Sequence, residues 1–120
     1  MINDFRDLKV WKESITLTKA IYKITFKFPD RYKFSLCSQM ERSSLSVPSN
    51  IAEGQGRDSL KEYLRHLSIS RGSLFELRSQ IYIAKELGLV EGGLYERFDK
   101  KINEISKMLK ALQNSLKKKL

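Results

Sequence analysis

The sequence predicts an all-α protein, an up-and-down antiparallel four-helix bundle formed by a single domain over residues 1–120. Three observations carry that prediction. Apolar residues recur at steps of three and four along four separate stretches, and no stretch alternates with the period of two that a half-buried strand needs. With 2 prolines and 6 glycines in 120 residues there is room for few turns, so the elements must be long and the links short. A chain of this length makes one core.

The first helix is expected from Leu8 to about Phe28. Its apolar residues form two adjacent rows, Val10, Leu17, Ile21, Ile24 and Phe28 in one, Trp11, Ile15 and Tyr22 in the other, so the helix must meet more than one neighbour. Phe28-Pro29 ends it, because a residue before proline is biased away from helical geometry. Asp30 to Phe34 then reads as the connection.

The second helix, from Ser35 to about Glu53, places Leu36, Met40, Val47 and Ile51 on one face and carries Pro48 in its middle. An interior proline removes one backbone hydrogen bond and costs roughly 3 kcal/mol. The expectation is a helix that continues past Pro48 with a bend near Ser44 to Pro48, because tertiary packing offsets the cost. Gly54-Gln55-Gly56 follows as a turn that tolerates left-handed geometry.

Ser59-Leu60-Lys61-Glu62 matches a capping box and opens the third helix, expected from Leu60 to Leu87 with Gly88 closing it. Its seam is Leu67, Ser70, Leu74, Leu77, Ile81 and Ala84, spaced like one strand of a coiled coil. A second set of apolar residues, Leu64, Phe75, Tyr82 and Ile83, lies off that seam. A helix apolar on two sides needs two partners, so a homo-oligomer is expected. The fourth helix opens after Gly92-Gly93 and carries Leu94, Phe98, Ile102, Ile105, Leu109, Leu112 and Leu116 on one face, with Lys117, Lys118 and Lys119 complementing the negative end of its dipole.

Hydrophobic residues at 41% and charged residues at 31% suit a globular protein, and no apolar run approaches the length of a membrane span. The opening MINDFRDLKVW lacks the pattern of a signal peptide, and the single cysteine, Cys37, fits a reducing compartment, so the expected location is the cytoplasm. The formal net charge is +9, with 10 Lys/Arg against 7 Asp/Glu in residues 1–60 and 13 against 7 in residues 61–120. Such an excess attracts polyanions through counterion release, although solubility explains it equally well.

No catalytic constellation emerges, and no metal or cofactor is expected. His66 lacks further ligands at metal-binding spacing and reads as a packed or solvent-facing side chain, while Cys37 reads as a small buried hydrophobe. The glycines are not followed by the Gly-Lys-Ser/Thr of a phosphate loop. Two polar groupings remain. Asn50, Glu53 and Arg57 gather where the second helix ends and are read as a structural network with Ser73 and Glu76 of the facing helix. Arg65, Arg71 and Arg78, with Lys85 in the same series, recur every six or seven residues along the third helix. With Lys107, Lys110 and Lys117 to Lys119 they form a candidate phosphate-facing surface. A solvated face supported by Glu62 and Glu86 is the competing reading.

The segments FRDLKVW (5–11), IYKITFKFP (21–29), SVPSNIAEGQGR (46–57) and LSISRGSLFELRSQIYIAKELG (67–88) together resemble the four-helix-bundle proteins encoded in intervening sequences of bacterial 23S ribosomal RNA genes. The resemblance implies an up-and-down bundle assembled as a ring-like homopentamer, distantly related to the basic accessory protein of diversity-generating retroelements, and no enzyme. Arg71 departs from it, standing where such proteins more often carry a small residue, and Ser43 and Ser44 replace the usual alanines. The function expected is non-enzymatic contact with RNA or a ribonucleoprotein through a basic surface. The alternative is a scaffold whose oligomer offers a groove to a protein partner.

Overall fold

A computed structural model describes residues 4–120. Four helices, α1 (Lys9–Phe26), α2 (Ser38–Gln55), α3 (Leu60–Glu86) and α4 (Gly92–Lys117), form a bundle of about 46 × 24 × 20 Å, and no strand occurs among the described residues. A short 3-10 turn, Phe5–Asp7, precedes α1; the Asp4 carboxylate accepts from the Arg6 backbone amide at 2.8 Å.

The core is built from the faces that helical spacing predicts, except that in the second α1 row Trp11 and Ile15 are only half-buried and Tyr22 is exposed. Leu17 and Ile21 of α1, Met40, Val47 and Ile51 of α2, the α3 seam, and Ile105 and Leu109 of α4 are buried, and Leu94, Leu112 and Leu116 pack partly buried at its edge. The α2–α3 interface is the most extensive in the bundle and the α1–α4 interface is slight. Small side chains line the helix crossings. Ser43, Ser44 and Ser70 are buried at the crossings, and Ser70 donates to the carbonyl of Val47 at 2.9 Å. A groove of about 200 Å³, lined by Thr16, Leu17, Ala20, Leu94, Arg97, Phe98 and Lys101, runs along the looser α1–α4 side.

Three local expectations are corrected. Asp30 to Phe34 is not a plain connection: a 3-10 turn (Asp30–Tyr32) and one π-helical turn (Lys33–Cys37) lead directly into α2. Gly54 does not serve as a turn residue. It lies inside α2, where a Cβ would stand 2.8 Å from the His66 Cβ, so glycine is there for close approach of α3. The glycine pair at 92 and 93 forms the first turn of α4, capped by Glu91, whose carboxylate accepts from the Leu94 amide at 2.6 Å.

Other termini follow the expected chemistry. α2 is unbroken through Pro48 and ends at Gln55. Ser59 accepts from the Glu62 amide at 3.2 Å, but Glu62 turns its carboxylate to Arg65 instead of completing the box. At the other end of α3, Gly88 has φ +79°, Leu89 N–H reaches the Ala84 carbonyl and Gly88 N–H that of Lys85, each at 2.9 Å. This pair of bonds is a Schellman cap, and its left-handed residue favours glycine.

Candidate nucleic-acid interface

The α3 arginines occupy three different environments. Arg65 is exposed and bonds Glu62, one turn earlier, at 2.7 Å; that contact raises the arginine's pKa and lowers the glutamate's. Arg78 reaches across to α4 and holds Asp99 with two bonds, 2.6 and 3.3 Å, and the carboxylate beside it raises its pKa. Arg71 is half-buried and donates to the Gln113 side-chain carbonyl at 3.2 Å, while its Nε is enclosed without a hydrogen-bond partner. Lys85 lies over the rings of Tyr82 and Tyr95. The even stripe suggested by spacing is therefore divided, because long side chains follow the partners that the neighbouring helix offers.

The C-terminal lysines are placed differently. Lys107, Lys110, Lys117, Lys118 and Lys119 are exposed, and so are Arg97 and Lys100, which spacing alone did not single out. None of these seven forms an ion pair among the described residues. Lys101, one residue away on the flank of the helix, instead bonds Glu13 of α1 at 2.6 Å; that contact raises the lysine's pKa and lowers the glutamate's. Only Glu96 and Glu104 interrupt the outward face of α4, so its field is strongly positive.

The polar network between α2 and α3 assembles with two members that the sequence did not reveal. Asn50 donates from Nδ2 to the Ser46 carbonyl and hydroxyl at 2.9 and 3.0 Å, and Ser73 donates to the Ser46 hydroxyl at 2.8 Å. The Asn50 side-chain oxygen is thereby turned toward buried His66, whose Nδ1 lies 2.9 Å away. These partners assign the Nδ1–H tautomer, leaving Nε2 to accept from Arg65 at 3.3 Å. Glu53 and Arg57 pair at 2.6 Å on the surface, with the Glu53 carboxylate 3.6 Å from His66; the hydrogen bond from Arg57 lowers the Glu53 pKa. Glu76 stands apart from this group and accepts from Ser43 at 2.6 Å.

Cys37 is buried with its thiol directed at the Thr25 carbonyl, 3.6 Å away, and burial pushes its pKa up. No group of three or more His, Cys, Asp and Glu side chains is placed to hold a metal among the described residues, and none of their helices is long and apolar enough to cross a membrane. Gln113 and Asp99, which hold Arg71 and Arg78, carried no signal in the sequence because only the register between α3 and α4 brings them together.

Residues 6–111 match the family model of the 23S rRNA-intervening sequence protein. Among solved structures, a protein of unknown function from the S23 ribosomal protein family of Bacteroides thetaiotaomicron VPI-5482 superposes with a TM-score of 0.82 at 21% identity, covering 88% of this chain and 95% of that one. No curated protein matches the sequence.

Proposed function

Because this chain belongs to the 23S rRNA-intervening sequence protein family, we propose that it is a non-enzymatic, oligomeric helical bundle that contacts RNA or a ribonucleoprotein through a basic surface. The observation that carries this reading is the outward face of α4, where Arg97, Lys100, Lys107, Lys110 and Lys117 to Lys119 are exposed without carboxylate partners among the described residues. Flexible lysines on one side of a rigid helix suit phosphate contacts, which position a nucleic acid without reading its bases. Arg65 of α3 contributes little, because Glu62 already pairs with it and its guanidinium turns toward His66 and α2. Arg78 contributes little, because Asp99 already neutralises it.

Self-association is the second part of the proposal, with a ring-like pentamer favoured by the family resemblance. Phe75, Tyr82 and Ile83 of α3 are 53%, 48% and 47% exposed, and Phe26 and Phe34 near the α1–α2 link are 90% and 88% exposed. That much apolar surface supports burial against further copies of the chain.

The same surface supports the second reading, a scaffold for a protein partner. Untagged protein purified from its host at low salt separates the two. Co-purifying RNA that nuclease removes, with no protein partner remaining, supports RNA contact. A partner protein that survives nuclease supports the scaffold.

A further inference from the structure

Arg78 and Arg71 lie seven residues apart and face the same neighbour, α4, yet their charges are met differently. Arg78 finds a carboxylate in Asp99; Arg71 finds only the neutral amide of Gln113 at its Nη1, its Nε is enclosed and out of a ligand's reach, and its Nη2 is left without a partner among the described residues. A half-buried guanidinium without a counter-ion leaves an unneutralised charge where water screens it incompletely. Gln113 is itself 3% exposed and is fixed from its other end by donating to the Ser68 hydroxyl at 3.0 Å, so the acceptor that positions Arg71 is rigid. On α4, Lys110 lies three residues before Gln113 and Lys117 four after it, which makes both its helical neighbours. Both are exposed, and no ion pair involves Arg71, Lys110 or Lys117 among the described residues.

We propose that Arg71, positioned by Gln113 and with Lys110 and Lys117 as its neighbours on α4, forms a phosphate-binding site on the face where α3 meets α4. It takes a phosphate group as the counter-ion that Asp99 supplies to Arg78. The assignment of that phosphate to an RNA backbone rests on the function proposed above; the anion site itself does not. Arg71 thus differs from the surrounding lysines. They are mobile charges, whereas the guanidinium is a preorganised donor that holds one phosphate in register.

The full chain, labelled with 15N, is titrated with inorganic pyrophosphate and separately with a short RNA hairpin at low salt, following the arginine Nε–Hε resonances. The site predicts saturable movement of the Arg71 resonance with both probes and none for Arg31, an exposed residue of the α1–α2 link. It also predicts that Arg71→Gln weakens hairpin binding about tenfold and makes its salt slope shallower by about one, with Arg71→Lys recovering part of the affinity. A still Arg71 resonance in pyrophosphate overturns the site and leaves the α4 surface intact, and so does hairpin affinity unchanged by Arg71→Gln. A hairpin that fails to bind while pyrophosphate still moves Arg71 overturns the RNA reading and retains the anion site. Because the titrations use the unaltered chain, they remain decisive should Arg71→Gln fold poorly.

Discussion

The Thr18 hydroxyl lies 3.0 Å from the carbonyl of Ser44, the carbonyl that Pro48, four residues later, leaves without its helical donor. The same hydroxyl is 2.9 Å from the Ser14 carbonyl, so one hydrogen is shared between α1 and α2. This contact explains how a buried proline sits inside an unbroken helix: a side chain of the neighbouring helix supplies the missing donor.

Thr18→Val keeps the shape and removes the donor. It is expected to destabilise the fold by about 1–2 kcal/mol, the penalty for a buried carbonyl left unpaired. In a Pro48→Ala background, where the backbone amide of residue 48 can serve Ser44, most of that loss should vanish. Urea titrations of the four proteins of this cycle measure the coupling, and equal losses in both backgrounds would show that Thr18 acts elsewhere.

Two glycines should respond to alanine with opposite signs. Gly54 has the His66 Cβ 2.8 Å from where its own would stand, so Gly54→Ala must push α2 and α3 apart and is expected to cost about 1–3 kcal/mol. Gly72 lies within α3 with nothing in reach of an added methyl, so Gly72→Ala should stabilise by about 0.5–1 kcal/mol. Thermal melts of both variants read the signs directly.

Cys37 should resist thiol reagents in the native state, since burial both shields it and raises its pKa. For an acid whose folded pKa lies above its unfolded one, the associated stabilisation is complete below the unfolded pKa and fades as pH rises through the folded one. Labelling should therefore be slow at neutral pH and become fast on addition of denaturant. Rapid modification of the native protein at neutral pH contradicts this placement.

If further copies cover the α3 apolar face, light scattering at micromolar concentration should give a multiple of 14.0 kDa, five-fold in the favoured case. Phe75→Asp, at a side chain that is 53% exposed, should lower that mass while leaving the helical circular dichroism unchanged. A mass of one chain for the unaltered protein rejects self-association.

Much of the fold was legible because helical periodicity records burial in one dimension: the α3 seam and the α4 face are buried or core-packed as their spacing predicts. Gly54 was misread because a glycine near a helix end and a glycine at a close crossing look alike until the partner helix is in place. The candidate site was less legible for a related reason. Exposure of the α4 lysines follows from their position on the wheel, whereas the fates of Arg71 and Arg78 depend on Gln113 and Asp99, 42 and 21 residues away. His66 joined the Asn50 network through the register of α2 against α3, which no local pattern encodes.

The central claim is that the outward face of α4 meets phosphates, and its most direct test is the salt dependence of binding to a structured RNA. Affinity of the unaltered chain should fall linearly in log–log form with salt. Replacing Lys107, Lys110, Lys118 and Lys119 together with glutamine should weaken binding at low salt and reduce the slope by about 0.7 to 0.9 for each phosphate that the variant no longer neutralises. Undiminished affinity and an unchanged slope in that variant would contradict the claim.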